Sequence, residues 1–371
     1  MTLSFQTVPS FTVTPIDLES PELLNLIGDQ ADITFFAPET RPLSEVIRPS
    51  VGCISEDENR ERLGQALALD LPSVATLKGK YAGQKLIICG GGASLEQTLL
   101  DIRRARRRSK RVKILAVNKT HDWLIEKGII PDFGVLMDPR AHLVDYMTPH
   151  RGVTYLFGAS VDKRIFERFS GRNVYLWYPI GTARDEPYVR DLLRRRYPWK
   201  SVAMIPGPST VGLRSVHLGM DILGFTSIEL HGFDSCYDPK SGTLWPYRKD
   251  VTFEPMKIDF SVVSKTDGTQ FKCVSNPDMA RQVYEFDKMI ELLIASVKNG
   301  RRRYLPNITV AGDGAIPWMA WKNNGHATPG RMMEKYGYAA IFDYARGAES
   351  AFAKECGLLS HQLLSEDVDH E

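Results

Sequence analysis

From Lys85 onward, short apolar runs alternate with stretches whose apolar residues recur at helical spacing. The runs are "KLIIC", "VKILAVN", "DFGVLMD", "TYLFGA", "NVYLWY", "SVAMIP" and "SIELHGFD". Between them lie a helix from Leu95, a helix through "HDWLIEKG" and a helix in "GLRSVHLGMDILG". Apolar runs of this length that do not alternate in and out are expected of strands buried on both faces. Their alternation with helices predicts an α/β fold: a doubly wound, mostly parallel sheet with helices on both sides.

The ends read differently. Residues 1–80 carry prolines and acidic residues among short apolar pieces, with one helix expected around "NRERLGQALAL"; they are expected to form an N-terminal extension packed on the main domain. Past Asp234, "DFSVVSKTDGTQFKCVS" predicts a β-hairpin turning at Asp267–Gly268, since Asp-Gly supplies the positive φ of a tight turn. This hairpin, at about 255–275, precedes a helix starting near Pro277 and so is an insertion expected to act as a flap. The main domain is placed at 81–320. Residues 321–371 are expected to form an amphipathic helical tail ending in the acidic "SEDVDHE".

Composition narrows the classes. With 43% apolar and 25% charged residues and a net charge of +2, the chain reads as globular, and its overall field does not favour nucleic acid. No apolar run approaches the ~20 residues of a membrane span, and "MTLSFQTVPSF" lacks a signal peptide's basic start and apolar core. The five cysteines stand far apart, without a C-x-x-C pair, which suits a reducing compartment; a cytoplasmic protein is expected.

The candidate chemistry begins at "CGGGASLEQ". A strand that ends in Gly90, Gly91 and Gly92 and feeds a helix presents unpaired N–H groups and a positive dipole end, a place suited to phosphate. Ser94 followed by Gln97 fits a capping box with the helix starting at Leu95. The dinucleotide fingerprint is incomplete, because Leu95 replaces its third glycine and the second strand ends in Asn118 rather than an acid. Walker A is absent, as are a hydrolase elbow and H-E-x-x-H. A second strand–glycine turn–helix occurs at "IPGPSTVGLRSVHLG". Asn118, Asp138 and Asp234 close three strands, where an open α/β sheet places its ligand crevice. An amide and two carboxylates there suit ribose hydroxyls, a base edge or Mg²⁺. His231 and His121 are further base candidates, each also readable as a core histidine.

In their order along the chain, "YAGQKLIICGGGASLEQTL", "ILAVNKTHDWLIEKGIIPDFGVLMDP", "GPSTVGLRSVHLGMDILGFTSIELHGFD" and "YLPNITVAGDGAIP" resemble the 6-hydroxymethylpterin diphosphokinase (MptE-like) domain. That domain is shared with flagellin motility accessory factors, which are similar to bacterial sialyltransferases. The resemblance spans roughly Lys78 to Pro317; it departs at Ala93, where the family more often has Pro. It implies a Rossmann-like domain that binds a nucleotide-activated donor. By motif, Gly90, Gly91, Gly92, Ala93, Ser94 and Leu95 would hold the phosphates, with Asn118 and Asp138 against the nucleotide. Gly207, Ser209, Thr210, Gly232 and Asp234 would border the reacting centre, and Asn307 with its segment would close the pocket wall.

The resemblance implies two chemistries. One is transfer of a nonulosonic-type sugar from a CMP or other nucleotide donor to a hydroxyl of a glycan or a protein Ser/Thr. The other is Mg²⁺- and ATP-dependent diphosphate transfer to a hydroxymethylpterin or similar alcohol. A third class is a nucleotide-binding module without catalysis. Asp138, Asp234 and His231 are the catalytic candidates, the two carboxylates doubling as Mg²⁺ ligands if metal is needed. The basic runs "RRARRRSKRVK" and "RDLLRRRYPW" lack interleaved aromatics and are read as solvated helix ends, not nucleic-acid surfaces.

Overall fold

Leu86, Ile87, Ile88 and Cys89 are all completely shielded from solvent. Successive side chains of a strand point to opposite faces, so such a run demands cover on both sides. A computed structural model describes residues 54–180, 185–198, 202–247, 257–263, 270–302 and 307–324, and shows that cover. The expected C-terminal tail lies almost wholly outside the described residues, as does the turn at Asp267–Gly268.

The chain runs α1 (Glu56–Ala68), β1 (Lys85–Cys89), α2 (Leu95–Arg108), β2 (Val112–Val117), α3 (Thr120–Glu126), β3 (Phe133–Leu136) and β4 (Thr154–Gly158). It continues through α4 (Lys163–Arg168), β5 (Asn173–Pro179), α5 (Asp185–Arg196), β6 (Ala203–Ile205), α6 (Val211–His217) and β7 (Ser227–His231). β8 (Ile258–Val263), β9 (Gln270–Ser275), α7 (Pro277–Lys298), β10 (Asn307–Ala311) and α8 (Ala315–Asn324) complete it. Eight strands form one sheet in the order β10-β7-β1-β2-β3-β4-β5-β6, every neighbouring pair parallel. The fold is α/β and doubly wound.

The pleat sorts the core. Leu86 and Ile88 join Ile228, Leu230 and Val135 in a cluster under α6, α7 and α8. Ile87 and Cys89 point the other way, into a cluster with Leu95, Leu99 and Ile102 of α2 and Trp123 and Leu124 of α3. Leu63, Ala66 and Leu67 place α1 against Leu176 and Tyr178 of β5, so this helix is part of the same packed body. The expected boundary at 320 falls inside α8.

From β1 the chain winds outward through β2 to β6, then returns to lay β7 on the opposite side of β1. The switch point of the topology is therefore between β1 and β7. In open α/β sheets that is where ligands enter, beyond the carboxyl ends of the strands.

β8 and β9 form the expected antiparallel hairpin as a separate two-stranded sheet. It is fastened rather than free-standing. Tyr237 N donates to Val274 O at 2.8 Å, Ser275 Oγ donates to Ser235 O at 2.7 Å, and Phe271 stacks on Trp318 at 5.7 Å. The described strands are thus docked on the loop after β7 and on α8.

Candidate functional site at the carboxyl edge

The β1–α2 turn is held by the loop that follows β7. Gly90 N donates to His231 O and Gly92 N to Gly232 O, each at 2.7 Å. Both carboxylate oxygens of Asp234 accept from one residue of the turn, Ser94 N at 2.6 Å and Ser94 Oγ at 2.5 Å. The backbone oxygen of Asp234 accepts from Ala315 N at 2.7 Å, which binds the start of α8 to the same point. Asp234 therefore ties together the turns after β1, β7 and β10.

α2 begins at Leu95 as expected, but the capping box does not form. Ser94 has helical backbone angles and spends its hydroxyl on Asp234, so Gln97 N pairs with Ser94 O instead. The Asp234 carboxylate takes the anion position beside the helix start. Burial pushes this carboxyl up to about 7; the Ser94 donors pull it down, and the charge of nearby Asp313 adds to the upward push.

The glycines mark close approaches. A Cβ on Gly90 would lie 2.5 Å from Gly232 O, one on Gly91 2.5 Å from Tyr247 Oη, and one on Gly92 2.6 Å from Asp234 Cγ. The turn after β10 is as tight: a Cβ on Gly312 would meet Ser94 Oγ at 2.1 Å and one on Gly314 would meet Asp234 Cα at 2.6 Å. Among the described residues, Gly91 N and Ala93 N have no acceptor.

Asn118 and Ser235 are the non-glycine residues with positive φ among the described residues, at 50° and 53°. Side-chain-bearing residues enter the left-handed region rarely, and such strain collects at functional sites. Both stand at the carboxyl edge, one after β2 and one after β7. Asn118 Oδ1 is shut off from solvent and has no hydrogen-bond partner among the described residues. Its neighbour Thr120 donates to Gly90 O at 3.1 Å, joining the β2 turn to the glycines.

The second glycine turn reaches the same neighbourhood. Gly207 has φ of 134°, and the guanidinium of buried Arg214 donates to the carbonyls of Ile180, Ile205, Gly207 and Pro208. Ser209 N and Oγ both donate to Glu285 of α7, at 3.1 and 2.9 Å, while Thr210 caps α6. Burial raises the Glu285 carboxyl, the Ser209 donors and the charges of Arg281 and Arg214 opposing it. One turn earlier on α7, Gln282 meets Ser235 Oγ at 3.2 Å, and a Cβ on Gly212 would meet Phe233 at 2.9 Å.

The turn residues Gly90 to Leu95, with Asn118, Ser209, Thr210, Gly232 and Asp234, are thus brought to one edge, and Gly207 is linked to them through Arg214. Asn307 is not. It is the first residue of β10, paired with Ser227 at the amino end of β7, so the length of the strand separates it from the crevice. The residues of β10's segment that do reach the site are Gly312, Asp313 and Gly314, whose signal was the Gly-Asp-Gly after an apolar run.

His231 is buried within the sheet, with Nε2 at 3.5 Å from Glu229 Oε1. Burial pushes the Glu229 carboxyl up, but His231 and Lys85 outweigh it and hold it well below the usual range. His121 is also core, with Nδ1 at 2.6 Å from Asp122 and Nε2 at 3.4 Å from the Tyr155 hydroxyl.

Asp138 turns back on Arg140, accepting from its backbone N at 2.9 Å and from its guanidinium. Two strands stand between β3 and β7, so their ends are about 14 Å apart at ~4.8 Å per strand. Mg²⁺ holds its oxygen ligands at about 2.1 Å. With Asp138 committed to Arg140 and Asp234 to Ser94, the two carboxylates do not fit as a shared Mg²⁺ site. Among the described residues no group of three or more His, Cys, Asp or Glu is placed to hold a metal ion.

The basic runs are largely spoken for. Arg106 pairs with Asp132, Arg103 donates to Lys127 O, and Arg190, Arg194 and Arg195 pair with acids on their own helix. No helix among the described residues is long and apolar enough to cross a membrane.

Two solved structures resemble this fold. A MAf glycosyltransferase from Magnetospirillum magneticum AMB-1 is 16% identical, with a TM-score of 0.48, over 80% of this chain and 42% of that one. A mammalian sialyltransferase, in complex with Gal-beta-1-3GalNAc-ortho-nitrophenol, is 8% identical, with a TM-score of 0.28, over 57% of this chain and 84% of that one. No curated protein matches the sequence. The resemblance read from the motifs holds over a defined stretch: residues 61–240 match the family model described as 6-hydroxymethylpterin diphosphokinase MptE-like.

Proposed function

We propose that this protein is a transferase that binds a nucleotide-activated donor at the switch point between β1 and β7, and that it moves a sugar to an acceptor hydroxyl. The observation that carries this reading is a set of polar atoms at one edge that have no partner among the described residues: the N–H groups of Gly91 and Ala93, and the sequestered Oδ1 of Asn118. Buried polar groups are nearly always paired, so an unpaired acceptor and open donors on one edge suit a ligand offering both kinds of group. Phosphate oxygens would accept from the turn, with the α2 dipole behind it, and a sugar hydroxyl or a base amino group would donate to Asn118.

In the transfer, the bond from the sugar's anomeric carbon to phosphate oxygen breaks, its electron pair leaving with the nucleotide. The acceptor oxygen forms the new bond and gives its proton to a base. Asp234 and His231 are buried and Asp138 lies about three strand spacings away; Asp313 is solvent-exposed and acts on Asp234 through its charge, and we assign it the base. Asp234 is a positioning residue. The donor is read as a CMP-type nucleotide sugar on the resemblance alone. The metal-dependent diphosphokinase is the weaker reading, because Asp138 and Asp234 do not converge.

Thermal-shift titration with CMP, CTP, ATP and GTP, each with and without Mg²⁺, tests this. Stabilisation by cytidine nucleotides that does not need Mg²⁺ is expected. Stabilisation by ATP alone, and only with Mg²⁺, would replace the sugar transferase by the kinase.

A further inference from the structure

All strands of the parallel sheet start at the edge opposite the crevice, and the turns that feed those starts carry cations. Lys80 precedes β1, Lys110 precedes β2, Arg151 precedes β4 and Arg301 precedes β10; all four are exposed. Arg107 and Arg108, also exposed, end α2 on the way into the Lys110 turn. From β10 to β4 this amino edge crosses β7, β1, β2 and β3, a breadth of about 24 Å at ~4.8 Å per strand.

Backbone bonds draw the turns together. Lys85 N donates to Arg111 O at 3.3 Å, and the Arg111 guanidinium donates to Gly83 O at 3.1 Å, joining the turns before β1 and β2. Gly79 N and Tyr81 N donate to Ile222 O and Leu223 O, at 2.8 and 2.9 Å, and Asn307 N donates to Thr226 O at 2.9 Å. The starts of β1, β7 and β10 are thereby tied in a row. A Cβ on Gly152 would lie 3.7 Å from Ile130 Cγ2, so the Arg151 turn adjoins the one before β3.

Cations in the last turn of a helix complement its carbonyl end, which accounts for Arg107 and Arg108 being where they are. It does not account for Lys80, Lys110, Arg151 and Arg301, which lie outside the helices. None of the six pairs with an acid among the described residues. The acids at this edge are largely taken: Asp132 by Arg106 and Lys113, Asp221 by Arg302 and His217, leaving Glu126 at the end of α3 to oppose them. The opposite edge holds Asp234, Asp238 and Asp313, so a net charge of +2 conceals a molecule with one basic end.

The partner follows from breadth and chemistry. Ile130, 48% exposed, stands in the turn before β3, an apolar side chain among cations. That combination suits the headgroup layer of an anionic bilayer, where charge attracts and an apolar side chain enters. Nucleic acid is the poorer fit, because an edge of turns offers no helix or ribbon to a groove. The ring at this edge, Tyr81, is stacked on Phe225 at 5.2 Å and set against Phe133 at 5.3 Å, so it is not open to a base.

We propose that the amino edge of the sheet is a docking surface for an anionic phospholipid bilayer, with Lys80, Arg107, Arg108, Lys110, Arg151 and Arg301 against the headgroups and Ile130 entering between them. The crevice at the carboxyl ends then faces away from the bilayer. This surface stands apart from the nucleotide-donor reading and does not depend on it.

The test is sedimentation of the full chain with two kinds of vesicle, one of phosphatidylcholine alone and one of phosphatidylcholine mixed equally with phosphatidylglycerol. Binding to the mixed vesicles, falling steeply as salt is raised, is expected. Each cation near such a surface contributes about fivefold in affinity, so Arg108→Gln combined with Lys110→Gln should weaken binding at least about tenfold. Lys163→Gln combined with Lys240→Gln removes the same charge from exposed positions at the carboxyl edge and should leave binding within about twofold. Both paired variants should melt with the wild type. Failure to sediment with the mixed vesicles, or equal sedimentation with phosphatidylcholine alone, would overturn the proposal. So would equal weakening by the two pairs, which would assign the effect to net charge rather than to this edge. Tighter binding to a labelled DNA duplex than to the mixed vesicles at the same salt would overturn it as well, giving the edge to nucleic acid.

Discussion

Replacing Asp234 by Asn should flatten the protein's dependence on pH. The wild-type carboxyl titrates near 7 when folded, against 3.8 in the free side chain, chiefly because it is buried with 3% of its surface exposed. Between those two values the folded state holds a proton that the unfolded state has released. Stability then falls as pH rises, by about 1.4 kcal/mol per pH unit for one proton. The full window corresponds to roughly 4 kcal/mol, an order-of-magnitude figure; the part between pH 5 and 7, where the folded carboxyl becomes half-ionised, amounts to about 2 kcal/mol. Below the free-acid value the contribution is constant, and above the folded value the whole penalty is in force.

Asn keeps the shape and one acceptor for Ser94 but cannot ionise. Its amide nitrogen can donate to Ser94 Oγ as the O–H of the protonated acid does, so at low pH the two side chains make equivalent hydrogen bonds. Urea unfolding of both proteins across pH 5–8 measures the difference. The variant should be close to the wild type at pH 5 and should gain on it by about 2–3 kcal/mol on reaching pH 7. Parallel curves would refute the reasoning, because they would mean that Asp234 titrates alike in both states and that the triple junction is solvated.

Three further substitutions test the placement of the site. Gly92→Ala would bring a Cβ within 2.6 Å of the Asp234 carboxylate, and should cost at least about 2 kcal/mol by denaturant unfolding and abolish CMP binding in calorimetry. Asn307→Ala, at the amino edge, should leave CMP affinity within about twofold of wild type; a loss of tenfold or more would return Asn307 to the site. Asp313→Asn should lower turnover of a CMP-sugar by about a hundredfold or more without lowering the melting temperature, and an unchanged rate would remove Asp313 as the base.

The fold was legible because its strands are buried on both faces. "KLIIC", "VKILAV" and "SIELH" each became a strand of the parallel sheet, since unbroken apolar runs between amphipathic helices have few other places to go. What the pattern could not convey was order. That β7 returns to pair with β1 depends on Leu86, Ile88, Ile228 and Leu230 packing under one set of helices, a contact across some 140 residues that leaves no local trace. β10 is short and carries polar residues at Asn307 and Thr309, as an edge strand can, so it does not stand out as an apolar run and nothing local marks Asn307 as its amino end.

The site was only half legible, and the glycines show why. A glycine triplet states that something must approach the backbone closely; it does not say whether that something is a ligand or the protein. Here Gly90 and Gly92 admit Gly232 O and the Asp234 carboxylate, so two of the three are accounted for by assembly of the edge. At Ser94 Asp234 occupies the place expected for a phosphate, and Glu285 does the same at Ser209. Asp234 is buried and Glu285 half-buried, and the surroundings of each reduce its tendency to ionise, which limits the charge it sets against an incoming anion. The two turns therefore share a device: a serine gives its N–H and hydroxyl to a carboxylate from a distant element, fixing the turn before any ligand arrives. What is left over at the first turn is Gly91, the one glycine whose neighbour is a phenol rather than a carbonyl or an acid. Binding at this edge then depends on donors that assembly leaves unspent, and the anion-binding capacity of the helix start is smaller than the run of glycines alone implies.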